Sequence, residues 1–231
     1  MGVIRFHDDI FTVDSQEYDI LHNAALKIKG VEGAVVEIGS RRGGSAKIII
    51  DALSFNDDTN RSMFCIDPYG NIDYVQTNKS LSVHNPEVPL EGDPTSTEIT
   101  QAIKLDYTND MRNQIIPSLY YYGYKAGLNF TFFCLEDSEF FARYADGVPV
   151  YDQNKKIEDK YAFVFFDGPH NTEAMIEEVN FFINRCTVGT MFVFDDIWMY
   201  DHDTSIESIL LDNGFEISEK KKIKASYVKV S

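Results

Sequence analysis

The first clear pattern in the chain is helical. Within residues 14–29 the apolar positions recur with the spacing of one helix face, and these positions are Ile20, Leu21, Ala24, Ala25 and Ile28. Asp14 or Ser15 is a suitable N-cap, and Gly30 is a suitable stop. We therefore predict a helical segment at about residues 14–30.

Short apolar runs follow, separated by polar or helical stretches. Runs with the length and the aromatic or β-branched content of buried strands occur at residues 34–39, 62–67, 129–136, 161–166 and 190–194. Stretches with helical spacing occur at residues 45–53, 109–126, 138–145, 172–185 and 204–212. Ser138 is the expected cap of the third of these helices. Residues 215–220 and 223–230 alternate as an antiparallel pair, whereas residues 68–108 and 146–160 are predicted to be loops.

Strands that alternate with helices predict right-handed crossovers and a mostly parallel sheet with helices on both faces. We therefore expect a Rossmann-like, doubly wound α/β fold in one domain, with a C-terminal antiparallel hairpin. In such sheets, ligands bind beyond the carboxyl ends of the strands. The stretch at about residues 70–108 is longer than a usual connection, so it is expected to be an insertion or a lid loop.

The composition of the chain makes some classes of binding partner unfavourable. The 231 residues carry a formal net charge of -16, which disfavours binding to nucleic acid or to an anionic membrane, because both would repel the protein. No apolar run approaches the roughly 20 residues that span a bilayer. Cys65, Cys134 and Cys186 lie among apolar neighbours without C-x-x-C spacing. They are expected to be buried free thiols in a reducing cytoplasm.

A glycine-rich turn follows the first predicted strand. Glu37 lies near the strand end, and Gly39, Gly43 and Gly44 lead into a helix that starts near Ser45. Glycines let a backbone approach a ligand closely, and a helix amino terminus offers unpaired N–H groups. The spacing is not G-x-G-x-x-G, and no lysine follows as in a P-loop. This pattern is compatible both with a ligand site and with an ordinary tight connection.

Acidic residues end the next two strands. Asp67 lies where a carboxylate would hold the hydroxyls of a ribose, although a turn or capping role would also explain it. Glu136 and Asp137 lie where a side chain could meet an adenine amino group. The alternative there is that Asp137 or Ser138 caps the following helix.

Three aspartates end the last two strands of the parallel set. Asp167 follows one strand, and Asp195 and Asp196 follow the other. Three carboxylates make an all-oxygen site suited to Mg²⁺, and a cation would offset the repulsion between the adjacent pair. Caps or turns are the alternative role for these acids. His170, three residues after Asp167, is either a functional group or a surface loop residue.

These stretches together resemble a known family. E-I-G-S-R-R-G-G-S at residues 37–45, the acid Asp67, D-G-P-H-N-T-E-A at 167–174 and V-G-T-M-F-V-F-D-D-I at 188–197 are similar to class I S-adenosylmethionine-dependent methyltransferases. Within that superfamily the similarity is greatest to the metal-dependent sugar O-methyltransferases of the macrocin O-methyltransferase type. The resemblance covers roughly residues 35–198, and residues 71–108 match nothing in that family.

The resemblance implies roles for individual residues. Cofactor contacts are expected from Glu37, Gly39, Ser40, Gly43, Ser45, Asp67, Glu136, Asp137 and Asp167. Within this set, Glu37, Gly39 and Ser45 would line the methionine part, Asp67 would lie on the ribose, and Asp137 would lie near the adenine. A divalent cation would be held by Asp167, Asp195 and Asp196. His170 would be the catalytic base, with Asp167 beside it in the catalytic set.

The implied activity is methyl transfer from S-adenosylmethionine to a hydroxyl of a small molecule, with Mg²⁺ or another divalent cation. A sugar, a glycoside or another vicinal diol would be the acceptor. Three alternatives stay open: a metal-independent methyltransferase of the same fold, a nicotinamide-dependent oxidoreductase, and a binding domain without catalysis. Related enzymes often associate, so a homo-oligomer to which the N-terminal helix contributes is a further expectation.

Overall fold

The computed structural model describes residues 10–13, 15–70, 72–74 and 105–231. The helices are α1 Tyr18–Lys27, α2 Gly44–Phe55, α3 Asn109–Ala126, α4 Asp137–Arg143, α5 Thr172–Ile183 and α6 Glu207–Asp212. A π-helical turn, His202–Ile206, directly precedes α6. The strands are β1 Ala34–Ile38, β2 Ser62–Ile66, β3 Ile72–Tyr74, β4 Leu105–Tyr107, β5 Asn129–Phe133, β6 Val148–Tyr151, β7 Lys155–Glu158, β8 Tyr161–Phe166, β9 Cys186–Phe194, β10 Phe215–Lys220 and β11 Ala225–Lys229.

Seven strands form one sheet in the order β10-β11-β9-β8-β1-β2-β5. The five strands from β9 to β5 are parallel, and β11 and β10 add to this set as an antiparallel pair. The predicted α/β fold with a C-terminal hairpin is therefore confirmed. It follows from continuous apolar runs, because parallel strands covered on both faces must be apolar on both faces.

The described residues divide into two compact units. Met1–Pro68 and Gln114–Ser231 contain the seven-stranded sheet, and Tyr69–Asn113 forms a smaller unit. In the smaller unit β3 pairs antiparallel with β4, and the rings of Tyr69 and Tyr107 lie 6.4 Å apart. Most of the predicted insertion at 70–108 lies outside the described residues, so its role as a lid, like the single-domain organisation, stays a prediction.

The core lies on both faces of β1, β2 and β8, whose residues are all buried. Phe166 at the end of β8 stacks on Phe194 at the end of β9 with ring centroids 4.6 Å apart and an interplanar angle of 5°. Phe182 of α5 packs edge-on against Phe166 at 5.9 Å. Large rings at the strand ends therefore fix the spacing of the edge at which the acids emerge.

The amino-terminal prediction needs a correction. Helix α1 begins at Tyr18, after Glu17 in a left-handed conformation with φ 57°, and no side chain among the described residues caps it. Asp14 lies outside the described residues, and Ser15 binds other partners instead of capping. The stop is close to the prediction, since the chain turns at Gly30 with φ +80°.

The stretch predicted as a loop at 146–160 contains a β-hairpin formed by β6 and β7. Val148 and Val150 are buried, while the alternate positions Pro149 and Tyr151 are exposed. This two-residue alternation was the available strand signal. The polar residues in the rest of the stretch made this alternation hard to recognise. Only Val148 and Val150 of the hairpin join the core, and β7 is mostly exposed.

Other helices and strands begin or end a few residues away from their predicted positions. Helix α4 begins after Glu136 and not after Ser138, which is therefore not its cap. Helix α3 runs through Pro117 without a break. Strand β9 begins at Cys186, and the predicted helix at 204–212 is divided into the π-helical turn and α6.

The three cysteines are free thiols, but only Cys65 is fully buried, whereas Cys186 is half-buried and Cys134 is exposed. The expectation of three buried thiols is therefore wrong at Cys134, which follows β5 on the solvent side. Among the described residues, no helix is long and apolar enough to cross a membrane.

Two glycines at the start of the sheet give a matched test of the β1–β8 pairing. A Cβ on Gly33 would lie 2.7 Å from the backbone nitrogen of Tyr161, whereas one on Gly30 would have no described atom within 4 Å. Both have positive φ, so Gly30→Ala should cost only about 1–2 kcal/mol of unfolding free energy. Gly33→Ala should cost more than about 3 kcal/mol, because the backbone of β8 must move. Urea unfolding of both variants measures this, and equal costs would contradict the close pairing.

Candidate active site

The register of the parallel strands brings their carboxyl ends into one row. The N–H of Gly39 donates to the carbonyl of Ile66 at 2.9 Å, and the N–H of Asp167 donates to that of Ile38 at 3.0 Å. The N–H of Asp195 donates to the carbonyl of Phe166 at 3.0 Å in the same way. The ladder therefore continues one residue beyond each strand and places these residues side by side.

Gly39 lets the glycine-rich loop touch Asp167. Its φ is +83°, and a Cβ at this position would lie 1.9 Å from the carbonyl oxygen of Asp167. Only glycine fits, since this is both a left-handed conformation and a backbone contact. The first loop and the Asp167 loop, both predicted to line the site, are thus in contact.

Glu37 lies beneath this loop with no exposed surface. Its Oε2 accepts hydrogen bonds from Ser40 Oγ at 2.6 Å and from the Cys65 thiol at 3.3 Å, and its Oε1 has no hydrogen-bond partner among the described residues. Burial raises the pKa of Glu37 to about 7, although the hydrogen bonds from Ser40 and Cys65 and the nearby Ser45 hydroxyl oppose the shift. The carboxyl group is poised between its two protonation states near neutral pH.

Asp67 supports the loop from the neighbouring strand. Its carboxylate is almost fully buried, and Oδ2 accepts the backbone N–H of Arg41 at 2.9 Å. Arg41 has a positive φ of 34°, so the loop bends sharply at the point where this bond holds it. Asp67 lies beside the glycine-rich turn, as the ribose hypothesis requires, and contact with a ribose stays a prediction.

The later glycines of the turn meet the N-terminal segment of the chain. Thr12 forms a backbone bridge to Gly43, and a Cβ on Gly43 would lie 2.9 Å from the ring of Phe11. A Cβ on Gly44 would lie 2.4 Å from the carbonyl oxygen of Thr12. The absence of side chains at these glycines is therefore explained by packing within the chain. A cofactor contact at Gly43 or at the buried Ser45 stays a prediction.

The acids after β5 are less enclosed. Glu136 is exposed and precedes α4, and its N–H donates to Glu139 Oε2 at 3.3 Å. Asp137 accepts the N–H of Ser138 at 2.7 Å as the first residue of the helix. Neither Asp137 nor Ser138 is the N-cap, so the capping alternative is wrong for both. The predicted adenine contact of Glu136 and Asp137 is not tested by this geometry.

His170 lies between two of the predicted aspartates. Its Nε2 is 3.5 Å from Asp167 Oδ1 and 3.7 Å from Asp196 Oδ2, and all three side chains are largely buried. Burial lowers the pKa of His170, while the carboxylates of Asp196 and Asp195 oppose the shift. The imidazole is therefore neutral near pH 7 and can accept a proton. Asp196 has a left-handed φ of 45°, a strained conformation of the kind found at functional sites.

Asp195 has a different environment. Its Oδ1 accepts hydrogen bonds from the Asp196 N–H at 2.7 Å and from Ser15 Oγ at 3.1 Å, and it lies 2.6 Å from Lys224 Nζ. Its buried Oδ2 has no hydrogen-bond partner among the described residues. Lys224 was not among the predicted site residues. The sequence offered one indication of it, which is that Lys224 is a charged residue within the alternating pattern of residues 223–230.

Glu178 of α5 was also missed. It is fully buried, and a Cβ on Gly168 would lie 2.9 Å from its Oε1. Burial raises the pKa of Glu178 well above its usual value, and the nearby carboxylates of Asp137 and Asp167 add to the shift. The residue lies three positions after Met175 and four before Phe182, on the apolar stripe of the helix. A carboxyl group on that stripe was the signal.

The donor chemistry of the acids can be compared with that of a magnesium site. Asp167 and Asp196 approach the same imidazole nitrogen, and one buried oxygen of Asp195 accepts no hydrogen bond within the part of the chain that the structure describes. Carboxylate oxygens suit Mg²⁺. However, no group of three or more His, Cys, Asp or Glu side chains in the described part of the chain is arranged to hold a metal ion. The residue types fit such a site, and metal binding by Asp167, Asp195 and Asp196 stays a prediction.

The pKa of Glu37 predicts a pH-dependent stability cost. Between the ordinary value of 4.5 and about 7, the folded protein binds more protons at Glu37 than the unfolded chain does, so stability falls as pH rises through this window. The loss amounts to about 3 kcal/mol above the window. Glu37→Gln should therefore gain about that much relative to wild type between about pH 4 and pH 8. Urea unfolding without cofactor measures the difference, and Glu177→Gln, at an exposed position, is the control. A constant difference across this range would contradict the shift.

Comparisons with known proteins agree with this geometry. A family described as a methyltransferase domain matches residues 36–197. The structure of the O-methyltransferase NovP is similar, with a TM-score of 0.56 and 16% identity over 92% of this chain and 79% of that chain. The calicheamicin methyltransferase CalS11 gives a TM-score of 0.56 and 14% identity over 91% and 76%. TomG from Streptomyces achromogenes, solved with S-adenosylmethionine, gives 0.54 and 10% over 96% and 82%.

At these identities the solved structures support the fold alone, and a search of the curated proteins finds no match. The family match, by contrast, covers well over half of the chain and contains both loops that meet at Gly39 and Asp167. The chain therefore belongs to this methyltransferase family and is an S-adenosylmethionine-dependent methyltransferase.

Proposed function

We propose that the enzyme transfers a methyl group from S-adenosylmethionine to a hydroxyl oxygen of a small molecule with adjacent oxygens, such as a sugar, a glycoside or another vicinal diol. The observation that carries the proposal is the position of His170, whose Nε2 lies 3.5 Å from Asp167 and 3.7 Å from Asp196. A neutral base thus lies at the sheet edge where ligands of this fold bind.

His170 is suited to remove the proton of the acceptor hydroxyl. Burial favours its neutral form, and the flanking carboxylates of Asp167 and Asp196 stabilise the imidazolium that forms when the proton arrives. The rest of the acceleration would come from orientation, which can lower a barrier by up to about 7–11 kcal/mol. An O-methyltransferase needs such a base because a neutral hydroxyl is a weak nucleophile.

The loops at the strand ends would hold the cofactor. S-adenosylmethionine, when bound, supplies the methyl group, and its sulfur retains the electron pair of the broken carbon–sulfur bond. The first loop would contact its methionine part through Glu37, Gly39, Ser40, Gly43 and Ser45. Asp67 would hold the ribose, Glu136 and Asp137 would lie near the adenine, and Asp167 would border the reacting end. The nearly balanced protonation of Glu37 supports this assignment, because a positively charged amino group nearby would favour its carboxylate.

A divalent cation, preferably Mg²⁺, would be held by Asp167, Asp195 and Asp196. When bound, it would supply positive charge that lowers the pKa of a hydroxyl on the acceptor. The buried Oδ2 of Asp195 supports this part of the proposal. A metal-independent enzyme that relies on His170 alone is the alternative.

The class of acceptor is proposed from chemistry and from one fold relative. A second structure of CalS11, with a TM-score of 0.54 and 13% identity, is described as that of a TDP-rhamnose 3′-O-methyltransferase. That substrate belongs to that protein, and here it suggests sugar hydroxyls as the first acceptors to screen. No nucleic acid or membrane is proposed as a partner, in keeping with the net charge of -16. Homo-oligomer formation stays a prediction.

His170→Gln tests the proposed base. Turnover with labelled S-adenosylmethionine and an accepted sugar should fall by about 10²–10⁴-fold, because proton removal is lost. The affinity for S-adenosylhomocysteine, measured by calorimetry, should stay the same, since the substitution leaves the cofactor loops intact. Wild-type turnover in His170→Gln would contradict the role of base. A wild type that binds NAD but not S-adenosylhomocysteine would instead support the oxidoreductase alternative.

Metal removal tests the proposed cation. Excess EDTA should abolish turnover, and Mg²⁺ should restore it in the wild type but not in Asp167→Asn or Asp196→Asn. Asp146→Asn, which removes one exposed carboxylate far from these residues in sequence, is the matched control and should behave as wild type. Full activity in EDTA would overturn the metal role and leave the metal-independent alternative.

A further inference from the structure

A protein cation already lies against the acid site. Lys224 immediately precedes β11, and its side chain is 0% exposed beside the 1% exposed Asp195. Its Nζ lies 2.6 Å from Asp195 Oδ1 and donates to Ser15 Oγ at 2.7 Å. The ring centroids of Tyr18 and Phe165 lie 4.6 Å and 6.0 Å from the same nitrogen. The ammonium is therefore enclosed by a carboxylate, a hydroxyl and aromatic faces.

Such a pair is not explained by stability alone. Removing an ammonium and a carboxylate from water costs several kcal/mol per ion, and packed apolar residues in the same space are often at least as stabilising. A buried pair has its best-supported use where it fixes one geometry. Here the paired carboxylate belongs to the acidic edge of the sheet, so the geometry that it fixes is that of the site.

Among the described residues, the hydrogen-bond donors to Asp195 converge on one oxygen. Lys224 Nζ, Ser15 Oγ and the N–H of Asp196 lie 2.6, 3.1 and 2.7 Å from Oδ1. The other oxygen, Oδ2, is buried with no hydrogen bond among the described residues. This clamp fixes the rotation of the carboxylate and leaves Oδ2 as the oxygen that remains for a ligand.

The clamp is anchored to the rest of the fold by Glu17. Its Oε2 accepts the N–H groups of Ile223 at 2.8 Å and of Lys224 at 3.0 Å, and Oε1 accepts that of Lys222 at 3.3 Å. The left-handed conformation of Glu17 turns the chain between Ser15 and α1. Glu17 thus ties the N-terminal segment to the turn of the β10–β11 hairpin. Each of these two segments contacts Asp195, the first through Ser15 and the second through Lys224.

We propose that Lys224 is a positioning residue for Asp195 and that, with Ser15, it makes Asp195 a ligand through one oxygen only. Its charge also compensates Asp195, so that three aspartates can lie at one edge with one of them already paired. The orientation of the carboxylate follows from the contacts above, and its use in cation binding depends on the proposed function.

Lys224→Met tests the proposal against a matched control. The substitution keeps the length of the side chain and removes the ammonium, whereas Lys222→Met makes the same change at an exposed lysine of the same turn. With Mn²⁺ as the probe in calorimetry, Lys224→Met should bind about tenfold or more weakly, as when a partner of a metal ligand is lost. Lys222→Met should bind as wild type. Asp195→Asn should weaken binding in the wild type but add little in the Lys224→Met background.

Unchanged or tighter Mn²⁺ binding in Lys224→Met would overturn the proposal, because a clamp that positions a ligand cannot be removed without loss. Ser15→Ala, which removes only the hydroxyl, should show a smaller loss in the same direction and serves where Lys224→Met does not fold. A wild type that binds no Mn²⁺ would contradict the cation part of the proposed function. The clamp is then judged by the crystal structure of Lys224→Met, or of Ser15→Ala, and an unmoved Asp195 carboxylate would overturn it.

Discussion

The site depends on the register of the parallel strands. Backbone hydrogen bonds from Gly39, Asp167 and Asp195 continue the ladder one residue beyond β1, β8 and β9, so the first residue of each loop is fixed by the sheet. The contact between Gly39 and the Asp167 carbonyl has the same origin. A rigid ladder therefore positions loops that would otherwise be free to separate, and the chemistry of a methyltransferase follows from which residues those loops carry.

This arrangement concentrates carboxyl groups at the carboxyl-end edge of the sheet, where they repel one another when ionised. The structure accommodates these groups differently: burial favours the protonated form of Glu37, Lys224 pairs with Asp195, and Asp167 and Asp196 flank His170, whose neutral form burial favours. The electrostatic interactions among these groups are screened less than those at a surface, because water is largely excluded. They also leave oxygens in defined directions, which a cofactor or a cation needs and a solvated acid cluster would not provide.

The sequence predicted what depends on local pattern. Apolar runs predicted every strand of the parallel sheet, and residues at their ends include Glu37 and Asp67, which the structure places at one edge. Side chains whose contacts are with residues distant in sequence were not predicted. Lys224 meets Asp195 only because β11 lies beside β9, and Glu178 reaches the site only through the packing of α5. No local spacing encodes these pairings, although a charged residue at an inward-facing position was a signal in both cases.

The most direct test of the account is a crystal structure with S-adenosylhomocysteine and Mn²⁺, with the anomalous signal of manganese recorded. We expect the adenosyl group to lie against the loop at Gly39 with its ribose on Asp67. We also expect the manganese to lie between Asp167 and Asp196, close to His170. Cofactor density elsewhere on the molecule, with an intact and empty edge at β1 and β8, would contradict the account.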